Sequence, residues 1–275
     1  VTYVALALLP LAFGLGDFLG GVFSRRVSPW AVVGFTTAVS ALGAGAWAFG
    51  TGSLSLDPTD VVAGAISGVL FVIAYALFFT ALATGKSGVV SAIVSLSVIP
   101  PVLADLAQGD LPSTVALVGI VAIVVGVIVI SQPTSIRQES SKSILLALAS
   151  ALTFGIQYIA LDRASTANAD VAILVQYAVA ALAVVILGLM TRSVGGVTRQ
   201  DFPRLVGIGL LFAVGGLCLS ASMVATNVAV ATAVLMSEPI VLALLGFFVL
   251  KERLRVLQVI ALVVVVLGAI AATMG

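Results

Sequence analysis

Histidine is absent from the 275 residues, cysteine occurs once, at Cys218, and only 8% of the chain is charged. With no imidazole and a single thiol inside an apolar run, zinc, haem and iron-sulfur ligation and Cys/His nucleophilic catalysis have no residues to work with. A disulfide framework is excluded for the same reason. The 12 basic and 11 acidic residues leave a formal charge of +1. No basic block interleaved with aromatics is present to follow a phosphate backbone, so nucleic acid is not expected as a partner. The sequence implies no cofactor and no bound metal.

What the chain does have is apolar length. Apolar residues make up 61% of it and the mean hydropathy is +1.30, far outside the range of soluble globular domains. Long apolar runs bounded by polar or Gly/Pro punctuation predict ten spans, near 2–23, 30–49, 60–83, 88–107, 113–131, 143–162, 170–190, 204–226, 229–250 and 255–274. Ten spans of about 20 residues leave too little chain in the connections for a soluble domain. Arg25 and Arg26 follow the first run, where a secretory signal would carry its charge before it, so this run is expected to stay as a helix. Helices are required, because open sheet edges leave backbone groups unpaired in hydrocarbon, and the period-two pattern of a barrel is missing.

The longest polar stretch, QPTSIRQESSK at 132–142, divides five spans from five. Sliding the sequence by 142 positions superposes Ser95 on Ser237, Leu103 on Leu245, Asp110 on Glu252 and Gly126 on Gly268. A slide of 141 superposes Phe13-Gly14 on Phe154-Gly155. The expected fold is therefore an all-α polytopic membrane protein of ten transmembrane helices in two inverted five-helix repeats, 1–131 and 143–275, joined by the polar loop 132–142. An odd number of spans per half is what inverts them. Eleven of the 12 basic residues fall in odd-numbered connections and only Arg163 in an even one. By the positive-inside rule the odd connections face the cytoplasm and both termini face outward.

Two acids lie within spans, Asp17 in the first and Glu238 in the ninth. A charged side chain at a helix centre costs about 2.5–3.5 kcal/mol, so each must face water, find a partner or carry a proton. Either is a candidate proton-coupling or cation site, or an anchor for a cationic substrate. For Asp17 the plainer reading is a reach toward Arg25 or a helix end. Glu238 has no basic residue on its own helix before Lys251. Further candidates for substrate contact are Gln157, Tyr158, Ser95, Ser237, Tyr75, Ser97 and Asn227. Ordinary interhelical hydrogen bonding competes with that role for the serines and amides, and aromatic packing for Tyr75. Ser95 and Ser237 are expected to face each other across the repeat axis, and Gln176 to be a peripheral packing residue. Pro100-Pro101 and Pro239 interrupt helices four and nine, which frees backbone groups at membrane depth. Gly16 with Gly20, and Gly64 with Gly68, read as close helix crossings.

The first span carries Gly16-Asp17-Phe18-Leu19-Gly20-Gly21. Each half closes on an apolar helix, an acidic turn (Gly109-Asp110-Leu111; Lys251-Glu252-Arg253-Leu254) and a helix with a late glycine (Gly126; Gly268), and Glu238-Pro239 precedes the second turn. In these segments the chain resembles the EamA family of the drug/metabolite transporter superfamily over essentially its whole length. It departs from that pattern in having Asp110 where glutamate is more usual and Pro100-Pro101 for a single proline. Its charge bias also places outward the termini that are often cytoplasmic in the family. The resemblance implies no enzyme but a secondary carrier working by alternating access in the inner (plasma) membrane, moving a small organic metabolite or drug-like compound. Export coupled to protons is the first expectation. An amino-acid-type carrier or facilitator working by uptake or exchange is the alternative, and a membrane enzyme on a lipid-linked substrate a distant third. Nothing in the sequence asks for more than a monomer in the bilayer.

Overall fold

The structure is a computed structural model that describes residues 2–55, 57–85, 87–109, 113–130, 140–165, 168–191, 196–248 and 256–274. Asp110, Glu252, Lys86, Arg137, Arg192, Lys251, Arg253 and Arg255 lie outside the described residues, as does most of the polar connection. Among the described residues there are α-helices and one 3-10 turn, with no strand: α1 (Thr2–Phe23), α2 (Pro29–Thr51), α3 (Pro58–Thr84), α4 (Ser87–Val94), the turn Ser95–Val98, α5 (Ile99–Gln108), α6 (Thr114–Ile130), α7 (Ser141–Ser165), α8 (Ala169–Thr191), α9 (Phe202–Ala225), α10 (Val228–Leu235), α11 (Glu238–Phe248) and α12 (Val256–Met274). Seven described segments are long and apolar enough to cross a membrane, the α4–α5 run counting as one, and two apolar helices are shorter.

Helix ends are set by ordinary capping chemistry. Asp57 Oδ1 accepts from Thr59 N at 2.8 Å and Pro58 opens α3, while Asn168 Oδ1 accepts from Val171 N at 3.1 Å at the start of α8. Gly52 ends α2 and Gly109 ends α5 at φ 70 and 86, left-handed positions that favour glycine.

Two predicted spans are broken, and at matching places. A shift of 141 positions carries α4 onto α10 residue for residue; a four-residue 3-10 turn then precedes α5, and the two-residue turn Met236-Ser237 precedes α11. Pro100 stands just inside α5 and Pro239 just inside α11, where a missing amide is tolerated.

The packing reveals the sense of each half. Ser143 and Ser150 of α7 donate to the carbonyls of Ala81 and Ala74, at 3.2 and 2.9 Å, so α7 runs antiparallel to α3. Gly20 and Gly21 of α1 lie against Phe79 and Leu82, near the same end of α3 as Ser143. Helix α1 therefore ends where α7 begins, and these first helices of the two halves run in opposite directions. Reciprocal pairs follow: α1 packs on α9 as α7 packs on α3, α2 on α8, and α6 on α12. Helices α6 and α12 touch through backbone, since a Cβ added at Gly119 would lie 2.5 Å from the Gly268 carbonyl.

Two grooves open at opposite ends of the bundle. Arg26 and Arg204 flank one groove between α1 and α9, whereas Pro58 and Arg163 flank another between α3 and α7 at the opposite end. At that second end Asp170 ties the α2–α3 connection to α8, accepting from Trp47 Nε1 at 3.1 Å and Ser53 Oγ at 2.6 Å.

Candidate functional site

Asp17 and Glu238 are buried, at 4% and 8% exposure, and they meet. Gly14, one helical turn before Asp17, is what lets them. A Cβ there would lie 2.8 Å from Val241 Cβ and 3.1 Å from the Glu238 carbonyl, so only glycine allows α1 to approach the first turn of α11 this closely. The carboxyl of Asp17 lies close to that of Glu238 and to the Tyr75 hydroxyl of α3. Ionised carboxylates only accept hydrogen bonds, so a bond between the two needs a proton on one of them. No donor among the described residues reaches Asp17 Oδ1. Asp17 turns to Glu238, and not to Arg25 in the turn beyond its helix.

The wall around the pair is aromatic. The Tyr75 ring lies 4.9 Å from Phe154 and 5.3 Å from Phe212, centroid to centroid, and Phe154 stacks on Tyr158 at 5.9 Å. Tyr177 of α8 anchors α9 through a buried 2.5 Å hydrogen bond to the Phe212 carbonyl. The sequence marks Phe154 only as a repeat partner of Phe13 and does not single out Phe212 or Tyr177, because one aromatic in an apolar run looks like any other until its neighbours are known.

The shift of 141 that superposes α4 on α10 also relates the polar groups at this centre. It carries Asp17 onto Tyr158 and Ser97 onto Glu238. Tyr158 and Ser97 in turn lie close to each other. The reciprocal glycine contact is present too: Gly155 lies against the Pro100 ring as Gly14 lies against Val241, and Pro100 and Val241 are 141 positions apart. The centre thus holds two equivalent pairs, one of acids and one of hydroxyls.

The other expected contacts are distributed differently. Gln157, next to Tyr158 but about 100° around the helix, turns from the centre and donates to Ser67 Oγ at 2.9 Å and Gln176 Oε1 at 2.8 Å, while Ser67 donates to the same Gln176 oxygen at 2.6 Å. Gln176 is therefore a buried junction between helices and not a peripheral residue. Ser95 and Ser237 do not bond each other; their hydroxyls turn back to the carbonyls of Ser91 and Val234, at 2.8 and 2.6 Å. Ser97 Oγ also lies 3.3 Å from Met236 Sδ. Asn227 caps α10, its Oδ1 accepting from Val230 N at 2.8 Å. Beside it, the unanticipated Asp105 accepts from Ala229 N at 3.3 Å while buried. Gly16 and Gly20 make room for the rings of Phe212 and Phe79, and Gly64 and Gly68 for Val175 and Val179 of α8.

The profile of the EamA-like transporter family matches the chain twice, over residues 1–132 and 141–274. The chain belongs to the EamA-like transporter family. As a member it is a multi-pass membrane transporter of the drug/metabolite type, built from two repeats. A solved crystal structure of another protein superposes with a TM-score of 0.76 at 17% identity, covering 99% of this chain and 95% of that one, which shows a shared fold. No curated protein matches the chain.

Proposed function

We propose that this EamA-like protein is a secondary active exporter of small organic solutes, driven by protons and working by alternating access. In this reading it spans the cell inner membrane ten times as two inverted halves, 1–131 and 143–275. Its basic end, with Arg26 and Arg204, faces the cytoplasm. One observation carries the reading: a buried carboxyl pair joins the first helix of one half to the broken helix of the other, at a contact that must part if the halves rock. A proton between Asp17 and Glu238 closes that contact, and its loss puts negative charge in a low-dielectric wall that only water or solute can stabilise. Glu238 is the principal coupling group, with Asp17 in support. Tyr75, Tyr158 and Ser97 line the same centre. Ser95, Ser237, Gln157 and Asn227 serve the helices that surround it.

The test is transport in proteoliposomes with and without a pH gradient, using a screen of labelled metabolites. Glu238→Gln keeps size and hydrogen bonding but removes the exchangeable charge, so it should abolish gradient-driven accumulation while solute exchange survives. Asp17→Asn should do the same more weakly. A normally folded Glu238→Gln protein that accumulates solute with unchanged dependence on pH would make Glu238 a packing residue.

A further inference from the structure

The chemistry of the central pair narrows what kind of solute it can hold. Asp17 Oδ1 is a buried carboxyl oxygen that no donor among the described residues reaches, and Asp17 is only 4% exposed. Buried oxygens of this kind are rare because each forfeits the hydrogen bonds it had in water. Among the described residues, the titratable groups that face the pair from the helices packed against it are Tyr75 of α3, Tyr158 of α7 and Tyr177 of α8. None of these is a cation. The described basic residues, Arg25, Arg26, Lys142, Arg163, Arg199 and Arg204, all stand at helix ends or in connections. A solute carboxylate brought to this centre would meet two carboxyls and no described counter-charge, which penalises anions and zwitterions alike. The aromatic faces of Tyr75, Phe154, Tyr158 and Phe212 carry negative quadrupole density and attract a positive centre.

We propose that the solute is a protonated amine with an aromatic or similarly flat apolar body. Its N–H groups bond the free oxygen of Asp17 and the carboxyl of Glu238, and its body lies among the rings. The neutral hydroxyl pair Tyr158 and Ser97, which the repeat relates to the acids, takes a polar group elsewhere on the solute. The proton that joins Asp17 to Glu238 and the ammonium that replaces it compete for one position, so loading the amine releases the proton. This substrate class rests on the carrier reading above, because α1 and α11 must part to admit the solute.

Binding decides it, measured calorimetrically on the full chain in phosphatidylcholine nanodiscs with empty nanodiscs subtracted. Three probes share one ring and chain length: 2-phenylethylammonium, neutral 2-phenylethanol, and phenylalanine, which adds a carboxylate to the amine. We expect saturable binding of 2-phenylethylammonium, about ten-fold or more tighter than either of the others, weakening as pH falls because protons return to the pair. Asp17→Asn and Glu238→Gln should each cost about ten-fold; the comparison of probes on the unaltered protein needs no variant to fold. The proposal is overturned if the alcohol or phenylalanine binds as tightly as the amine, or if a folded Asp17→Asn or Glu238→Gln protein binds the amine unchanged. Failure of the amine to bind, alongside gradient-driven transport of some other solute, removes the substrate class and leaves the carrier. Amine binding with no movement of any solute in sealed vesicles removes the carrier and leaves the site.

Discussion

Adding one methyl group at Gly14 is the sharpest test of the central contact. The new Cβ of Gly14→Ala would lie 2.8 Å from Val241 Cβ and 3.1 Å from the Glu238 carbonyl oxygen, and the latter, being backbone, cannot rotate aside. Carbon contacts settle at about 3.5–4.0 Å, so α1 and the first turn of α11 must separate by about 1 Å. Overpacking of this size costs about 1–3 kcal/mol, which for a chain of this length lowers the unfolding temperature by about 2–10 °C. The same displacement carries Glu238 away from Asp17. A carboxyl-to-carboxyl bond spans about 2.5–2.7 Å and does not survive an extra ångström, so gradient-driven transport should fall further than exchange. Gly207→Ala is the control, because a Cβ there meets nothing within 4 Å. Melting curves in detergent and paired transport assays read both effects. If Gly14→Ala melts within 1 °C of the parent and keeps its coupling, the close approach of α1 to α11 does not hold the carboxyls together.

Gln157→Leu removes two interhelical hydrogen bonds but leaves Ser67 bonded to Gln176, so it should cost about 1–2 kcal/mol in unfolding experiments. Coupling should stay intact; a coupling defect in the folded variant would place Gln157 at the centre after all. Alkaline phosphatase fused after Arg137 should be inactive and fused after Asp57 active, and the reverse pattern would invert the membrane orientation. The Thr198 hydroxyl and amide, at 2.7 and 3.0 Å, hold the Asp201 carboxyl below the usual carboxylate range, so its contribution is present above the ordinary carboxyl pKa and lost as pH falls through its own lower value. The difference in melting temperature between the parent and Asp201→Asn should therefore be visible at neutral pH and vanish in strong acid; a difference that persists there would refute this origin.

The membrane helices were legible because hydrocarbon leaves so few options: an apolar run bounded by Pro58, Gly109 or Asn168 has to be a helix that starts or stops there. The breaks in the fourth and ninth spans were only half legible. Prolines at 100, 101 and 239 flagged them, but hydropathy does not register the turn preceding each proline, since Ser95–Val98 is as apolar overall as its flanks. Asp17 and Glu238 stood out singly, as charges in lipid must. Their meeting did not, because a one-dimensional sequence does not state which helix of one half lies against which of the other. Adjacent residues show the same limit: Gln157 and Tyr158 look equivalent in the sequence, yet one step along α7 sends the first to Ser67 and Gln176 and the second to Ser97.

Each member of the acid pair comes from a different half, and so does each member of the hydroxyl pair. Two separate antiparallel copies of a single half would be bound to display the same side chains at both positions, one acid beside one hydroxyl each time. Joining the halves in one polypeptide lifts that obligation. One position is then free to gather both acids while its twin stays neutral, and in the proposed carrier the two orientations of the bundle, which symmetry would have made equal in energy, become distinguishable to the molecule itself.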